Sequence, residues 1–280
     1  MSKNFFLVRR IGALARLVLL DGLRRHALLG LIVLAVAAQG GALFFFDFIP
    51  RDIGRASADF ILSMAWLVGC IFLYFHAVQV MALDEERKVI YSLLARPISR
   101  AEYVLGVFAG LALLLLLLNL ILAGLGYTTL LFIKSTVHAL YFEQLRLASY
   151  LLSWLGLFAM ELMLLAVILL FSGLVRGSFP VLLISLAYYA TCSGLPVVRD
   201  AVQQSVVRGE VLASSLLPVL LRWLTAIFPD FARLDYKNMI ASSTPLPGGV
   251  DVAVNFALAL AYVVISLWFA SLVYQRRDLQ

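Results

Sequence analysis

The chain has 280 residues, of which 63% are hydrophobic and 14% charged, and its formal net charge is +6. This composition excludes a soluble domain of the same length, because soluble domains carry about 25% charged residues. The positive balance indicates contact with anionic lipid and an orientation signal, and we expect no nucleic-acid partner.

Six windows of the sequence are long and apolar enough to cross a bilayer, which takes about 20 residues per helix. They predict an all-α polytopic membrane protein with six transmembrane helices, built as a single domain over residues 1–280. The fifth window is short and contains Pro180 and Pro196. The windows are residues 27–48, 60–83, 104–133, 149–175, 178–198 and 250–274.

The basic residues predict the orientation. With the N-terminus inside, the inner segments hold 13 of the 22 Lys and Arg residues, and the longer outer segments hold nine. Because basic residues are retained on the cytoplasmic side, both termini are expected in the cytoplasm. The first apolar window follows a basic stretch without a small-residue cleavage site, so it is interpreted as a retained span of a multi-pass inner (plasma) membrane protein.

Residues 1–26 have the pattern of an amphipathic helix. Arg9 and Arg16 lie opposite the apolar face, which favours a helix in the headgroup plane. The alternative is a charged flank that only sets the topology. The apolar face consists of Leu7, Ile11, Leu14 and Val18.

Residues 84–103 form the only long charged segment between two apolar runs. Pro97 lacks an N–H and disfavours helix at the residue before it, so a turn is expected there. Ser99 precedes Glu102 by three residues, which is the spacing of a reciprocal capping box at the start of a new helix. The apolar residues before the turn predict a short amphipathic helix at the membrane surface. They are Val89, Ile90, Leu93 and Leu94.

The sequence LLARPISRAEYVLG, which begins at Leu93, resembles the segment after the second span in permease subunits of type-2 ABC exporters. The upstream ERKVIYSLLARPISR is similar to a branch that reads Lys-Thr-Ile-Tyr at this place, although Val89 stands where that branch usually has Thr. Val107 also follows Gly106 where Lys is common.

The resemblance implies an ATP-binding cassette exporter in which this chain is not itself the enzyme. A separate ABC ATPase subunit would hold ATP and Mg and dock on residues 84–103, and the permease would pair with a second permease as a homodimer or heterodimer. It also implies an N-terminal elbow helix. The residues assigned to ATPase coupling are Glu85, Glu86, Val89, Ile90, Leu93, Leu94, Arg96, Pro97, Ser99, Arg100 and Glu102.

Residues 199–249 lie on the predicted outer side and are not loop-like. An apolar run of 15 residues, 214–228, is too short to cross the bilayer alone. It is expected to lie in the outer interface or to dip in and return, with Trp223 and Phe228 as interfacial anchors. The resemblance places extracellular helices here.

Glu161 is the sole acidic residue deep in a predicted span. A carboxylate at mid-bilayer is costly unless it is paired or neutralised, so it should face protein or water. The preferred interpretation is a hydrogen bond to Asn119, Gln79 or Thr191. The alternative is a cargo or proton site.

No Gly-x-x-x-x-Gly-Lys-Ser/Thr sequence is present, so no phosphate-binding loop is encoded. Cys70 and Cys192 fall inside predicted spans, which excludes a disulfide framework, and Cys70, His76 and Met81 are interpreted as packing residues, not metal ligands. Gly106 and Gly110 form a G-x-x-x-G pair that allows close helix packing. No cofactor is expected in this chain.

Two further function classes stay open. One is an ion- or proton-coupled secondary carrier that uses Glu161, and the other is a membrane anchor for a cytosolic protein. The apolar spans favour a lipid-like or amphipathic cargo.

Overall fold

The computed structural model describes residues 3–24, 27–46, 53–81, 99–136, 142, 146–208, 216–240 and 248–276. All regular secondary structure in these ranges is helical, which confirms the predicted all-α class. The α-helices are α1 (Lys3–Arg24), α2 (Ala27–Phe46), α3 (Ile53–Met81), α4 (Arg100–Thr136), α5 (Leu147–Leu174), α6 (Ser178–Val207), α7 (Leu216–Ile227) and α8 (Gly249–Arg276). Two 3-10 turns, Phe231–Leu234 and Lys237–Met239, lie between α7 and α8.

Five of the described helices, α3, α4, α5, α6 and α8, are long and apolar enough to span a membrane. The chain is therefore compatible with a multi-pass membrane protein. Helix α2 is an apolar helix of 20 residues, but its apolar stretch among the described side chains is the shorter Leu29–Gly41. A sixth span over α2 stays a prediction.

Helix α4 occupies the centre of the bundle and packs against α1, α2, α3, α5 and α8. The reason is its sequence, which carries no charged residue from Tyr103 to Ile133 and is apolar on nearly all sides. Since lipid chains are as apolar as leucine, such a helix is held by close packing and not by a hydrophobic driving force. Its fully buried side chains are Leu111, Leu114, Leu115, Leu118, Leu122 and Leu130.

The predicted G-x-x-x-G pair brings α1 onto the first turns of α4. A Cβ added to Gly106 would lie 2.6 Å from Cβ of Leu14, and one added to Gly110 would lie 2.6 Å from Cβ of Val18. Helix α1 is present as predicted, and Leu14 and Val18 of its apolar face are buried against protein. Its placement in the headgroup plane remains a prediction.

Two helices depart from regular or predicted geometry. Helix α3 contains a π-helical turn at Phe72–Ala77. Helix α6 continues through Pro196 to Val207, beyond the end predicted at residue 198. Proline inside a membrane helix is tolerated because neighbouring groups satisfy the freed backbone atoms, so Pro196 does not end the helix.

Candidate coupling junction, intramembrane carboxylate and outer cavity

The capping box predicted at Ser99 is present at the start of α4. The Ser99 backbone N–H donates to Oε2 of Glu102 at 2.8 Å, and the Glu102 N–H donates to Oγ of Ser99 at 3.2 Å. The pair satisfies two backbone donors that the first turn of a helix leaves without intrahelical partners. The direction in which the chain enters α4 is therefore fixed.

Arg100 joins this helix start to the end of α8. Its Nη1 donates to the carbonyl oxygens of Tyr274 and Gln275, each at 3.0 Å. The last carbonyls of a helix lack intrahelical donors and carry partial negative charge, so a guanidinium is a suitable cap. Glu102, which is 8% exposed, also lies 3.7 Å from Nη1 of Arg10 on α1. The start of α4, the end of α8 and Arg10 of α1 thus meet at one place, which is defined by Arg10, Ser99, Arg100, Glu102 and Tyr274 and is called the candidate coupling junction.

Only part of the predicted coupling set falls in this junction. Ser99, Arg100 and Glu102 are brought together, whereas Glu85, Glu86, Val89, Ile90, Leu93, Leu94, Arg96 and Pro97 lie outside the described residues. Sequence reasoning missed Arg10 and Tyr274 as partners. No sequence pattern marks them, because Tyr274 lies 174 residues from Arg100 along the chain.

Glu161 is fully buried in α5 and is paired with Asn119 of α4. Nδ2 of Asn119 donates to Oε2 of Glu161 at 2.5 Å and to the Leu115 carbonyl at 3.0 Å. Of the three partners proposed from the sequence, Asn119 is therefore the correct one. Thr191 donates to the carbonyl of Ala187 on its own helix and is exposed.

Gly69 of α3 makes room for the Glu161 carboxyl group. A Cβ added at Gly69 would lie 2.6 Å from Cδ of Glu161 and closer still to Oε1. Within the described residues, Oε1 of Glu161 and Oδ1 of Asn119 have no hydrogen-bond partner. The carboxyl group is thus enclosed by three helices with one donor, an arrangement that holds the helices in register and leaves little room for a solute.

The outer segment packs deep against the bundle between α7 and α8. Phe231, Leu234, Tyr236 and Ile240 are buried. The Leu234 carbonyl approaches Gly156 of α5 so closely that a Cβ there would overlap it. Oγ of Ser153 donates to the Tyr236 carbonyl at 2.9 Å. The described part of the segment 199–249 is helical, as predicted, and its location on the outer side stays a prediction. Residues 228–240, after α7, form a fixed cap on the bundle.

The predicted interfacial anchors of this segment have different surroundings. Trp223 is 68% exposed on α7. Phe228 is half-buried, and its ring centroid lies 5.5 Å from that of Tyr188. Trp223 thus has the exposure expected of an interfacial anchor, and Phe228 packs on protein.

A cavity of about 270 Å³ lies beneath this cap, between α3, α5 and α6. Trp66, Tyr189 and Phe231 line it with their rings, and Asp235 and Lys237 belong to its lining on the side of the cap. Nζ of Lys237 lies 3.6 Å from Oδ2 of Asp235 and 3.5 Å from Oδ1 of Asp59. Sequence reasoning did not find this cavity, because its walls come from four separate parts of the chain.

The carboxylates at the cap determine the charge state of Lys237. Burial lowers the pKa of Lys237, whereas Asp235 and Asp59 raise it, and the carboxylates prevail, so the pKa of this ammonium lies above its ordinary value. Lys237 therefore keeps its positive charge at neutral pH.

No protein-family model and no curated protein matches this chain. Its function has to be argued from the junction, the carboxylate and the cavity themselves.

Proposed function

We propose that this chain is the membrane-spanning subunit of an ATP-binding cassette exporter and that it couples ATP hydrolysis by a separate ATPase subunit to transport. The observation that carries the proposal is the coupling junction. It stands directly after the residues whose sequence resembles a coupling helix, and it binds the start of α4 to both α1 and α8. A displacement at residues 84–98 would thus reach three helices at once.

The junction suits this role because it is stiff. Reciprocal capping fixes the first turn of α4, and Arg100 holds the last carbonyls of α8. A flexible joint would absorb a displacement of a few ångströms, whereas packed helices with fixed ends pass it on as a rigid-body shift. ATP and Mg belong to the partner subunit in this proposal.

A second permease subunit, identical or different, is part of the proposal. In the most apolar window of each helix, 22% of the residues of α6 and 28% of those of α8 are buried in the chain. The share is 67% in α3 and in α5. The exposed face of α6 includes Thr191, Ser193 and Gly194. Small and polar residues favour helix–helix contact over lipid, so this face supports a permease dimer, with lipid covering the remaining surface.

We place the protein in the inner (plasma) membrane with six spans and both termini in the cytoplasm. The basic residues of the sequence support this orientation. It puts the junction on the side of the ATPase and the cavity on the outer side.

A secondary carrier that uses Glu161 is less well supported. A carrier needs its ionisable group to face a cavity that opens to either side, and Glu161 is 0% exposed, against Gly69 and Asn119. A membrane anchor would use the same cytoplasmic segment for docking, but it would have no need for a stiff link from that segment to α8.

Two variants of the same permease separate docking from coupling. Leu93→Asp places a charge on the predicted docking face, so co-purification of the ATPase should be lost. Arg100→Ala removes the link to α8, so the ATPase should co-purify normally while its hydrolysis rate no longer responds to the permease in proteoliposomes. Arg146→Ala, an exposed residue before α5, is the matched control and should change neither property.

Normal ATPase retention in Leu93→Asp would remove the docking proposal, and a normal hydrolysis response in Arg100→Ala would remove the coupling proposal. Orientation is checked in the same cells by labelling Gln204→Cys, an exposed residue of the segment 199–249 that is predicted to lie outside, with an impermeant maleimide. Cys70 and Cys192 are buried, so their background labelling should be low. Protection of the new cysteine in intact cells would reverse the orientation.

A further inference from the structure

Three aromatic rings meet at the cavity beneath the outer cap. The ring centroids of Trp66 and Tyr189 are 5.7 Å apart, those of Trp66 and Phe231 6.4 Å, and those of Tyr189 and Phe231 6.2 Å. The three rings come from α3, α6 and the first 3-10 turn, so the contact exists only in the folded chain. Such a cluster presents several π faces at one place.

Trp66, Tyr189 and Phe231 form an aromatic wall of the cavity, and the indole N–H of Trp66 already has a hydrogen-bond partner. Nε1 of Trp66 donates to the Tyr189 hydroxyl at 2.9 Å. The indole has no other donor, so what it offers an occupant of the cavity is its ring. Phe231 has no polar side-chain atom at all. The Tyr189 hydroxyl accepts the bond from Trp66 and keeps one O–H donor, so the wall offers an occupant that donor together with three rings. The ring quadrupoles attract a cation.

The charged groups on the cap side of the cavity also favour a cationic occupant. Asp59 and Asp235 both lie within 4 Å of Lys237, so two carboxylates face one ammonium. Their side chains keep 50% and 36% exposure, so they are accessible to an approaching charge. Asp235 and Lys237 line the cavity, whereas Asp59 lies outside its lining. An anionic headgroup would therefore meet the like charge of Asp235 and an ammonium that already has two carboxylate partners.

We propose that the cavity lined by Trp66, Tyr189 and Phe231 binds an amphipathic organic cation, with its ammonium against the rings on the side of Asp235 and its apolar part toward Leu157 and Met160. This site goes beyond the proposed function, because binding needs neither an ATPase nor transport. Both a free quaternary ammonium compound and the choline headgroup of a lipid have this chemistry.

Substitutions of the two charged residues at the cap should change the affinity for a cation in opposite directions. Asp235→Asn removes one negative charge and keeps the side-chain oxygen that accepts from the Lys237 backbone N–H at 3.3 Å. It should weaken binding of a cation by roughly two- to five-fold, the effect expected of a partly exposed charge pair. Lys237→Gln removes the competing positive charge and should tighten binding of the same cation by roughly two- to five-fold.

The binding measurement is titration calorimetry on the purified full-length chain in uncharged maltoside micelles, with protein-free micelles subtracted. Three probes of similar size are compared: benzyltrimethylammonium, neopentylbenzene, in which carbon replaces the ammonium nitrogen, and benzylsulfonate. We expect the two charge variants to move the affinity for benzyltrimethylammonium in opposite directions and to leave that for neopentylbenzene unchanged. The affinity for benzylsulfonate should shift with the reverse signs.

The aromatic wall is tested by Trp66→Leu, with Trp268→Leu as the matched control on the exposed face of α8, where Trp268 is 59% exposed. Loss of a cation–π contact should weaken binding of benzyltrimethylammonium by roughly three- to thirty-fold in Trp66→Leu, and the control should bind as the wild type does. If Trp66→Leu fails to fold, the charge variants still decide, since both change partly exposed residues.

The proposal is overturned if wild-type protein shows no saturable binding of benzyltrimethylammonium, or if both charge variants shift all three probes alike. The source of the cation is resolved in nanodiscs. Weaker probe binding in phosphatidylcholine–phosphatidylglycerol discs than in phosphatidylethanolamine–phosphatidylglycerol discs with the same share of phosphatidylglycerol would assign the site to a lipid headgroup. Equal binding after correction with protein-free discs would assign it to a free cation.

Discussion

Two groups of carboxylates in this molecule are stabilised in opposite ways. Glu161 is fully buried at the meeting of three helices, where one amide donor and a glycine surround it. Asp59 and Asp235 are partly exposed at the outer cap and share the ammonium of Lys237. The first group depends on shape, because any added atom collides with the carboxyl group. The second depends on the charge of Lys237, so we expect it to tolerate changes of shape and to be sensitive to substitutions that remove a charge.

The largest effect is expected from changing the shape around Glu161. Gly69→Ala places a methyl group 2.6 Å from Cδ of Glu161, so the carboxyl group has to move away from Asn119. We expect a loss of about 3 kcal/mol of stability, as for other overpacked cores. Thermal unfolding of the purified protein in micelles measures it.

The matched control for this change is Gly124→Ala on α4, where an added Cβ meets nothing within 4 Å. It should leave the unfolding temperature nearly unchanged. Removing the carboxyl group in Gly69→Ala/Glu161→Ala should restore part of the loss, since the methyl group then has space. An equal loss in the single and double variants would mean that the carboxyl group is not what Gly69 accommodates.

A smaller effect is expected from removing the amide donor. Asn119→Leu leaves the buried carboxyl group without its donor and should cost about 1–3 kcal/mol. Glu161→Gln keeps the size and the hydrogen-bonding capacity, so it should cost less than about 1 kcal/mol and preserve stimulation of the ATPase. Transport that is lost at a normal protein level in Glu161→Gln would contradict a structural role and favour the carrier interpretation.

The smallest effect is expected at the outer cap. Because the pKa of Lys237 is raised in the folded protein, its charge stabilises the cap below the ordinary lysine pKa of about 10.4, and this contribution is lost as the pH rises through the folded value. Lys237→Gln should therefore lower stability at neutral pH by under about 1 kcal/mol, since the pair is solvent-screened. The difference from wild type should shrink above pH 10.4, and a difference that grew with pH would contradict this assignment.

The sequence predicted the features that depend on near neighbours or on composition. The capping box at Ser99 and Glu102 was found because its signal spans three residues, and the close packing at Gly106 and Gly110 because its signal spans four. Asn119 was among the proposed partners of Glu161 because few polar residues lie in the spans.

Features that depend on distant contacts were not predicted. Gly69 carries no mark that distinguishes it from any other glycine until Glu161 is placed against it, and the link from Arg100 to the end of α8 joins residues far apart in the chain. The walls of the outer cavity come from four such parts. The length of α6 was also not predicted, since the fifth window ended at residue 198 and the helix continues to Val207.

Arg100 and Arg10 have one role during membrane insertion and another in the folded chain. In the proposed orientation they are basic residues that help to keep their segments in the cytoplasm during insertion. After folding, the guanidinium of Arg100 holds the end of α8 and that of Arg10 faces Glu102. Two of the charges that support the proposed orientation are thus engaged within the finished fold, so the surface around the junction offers fewer cations to anionic phospholipid than a count of basic residues implies.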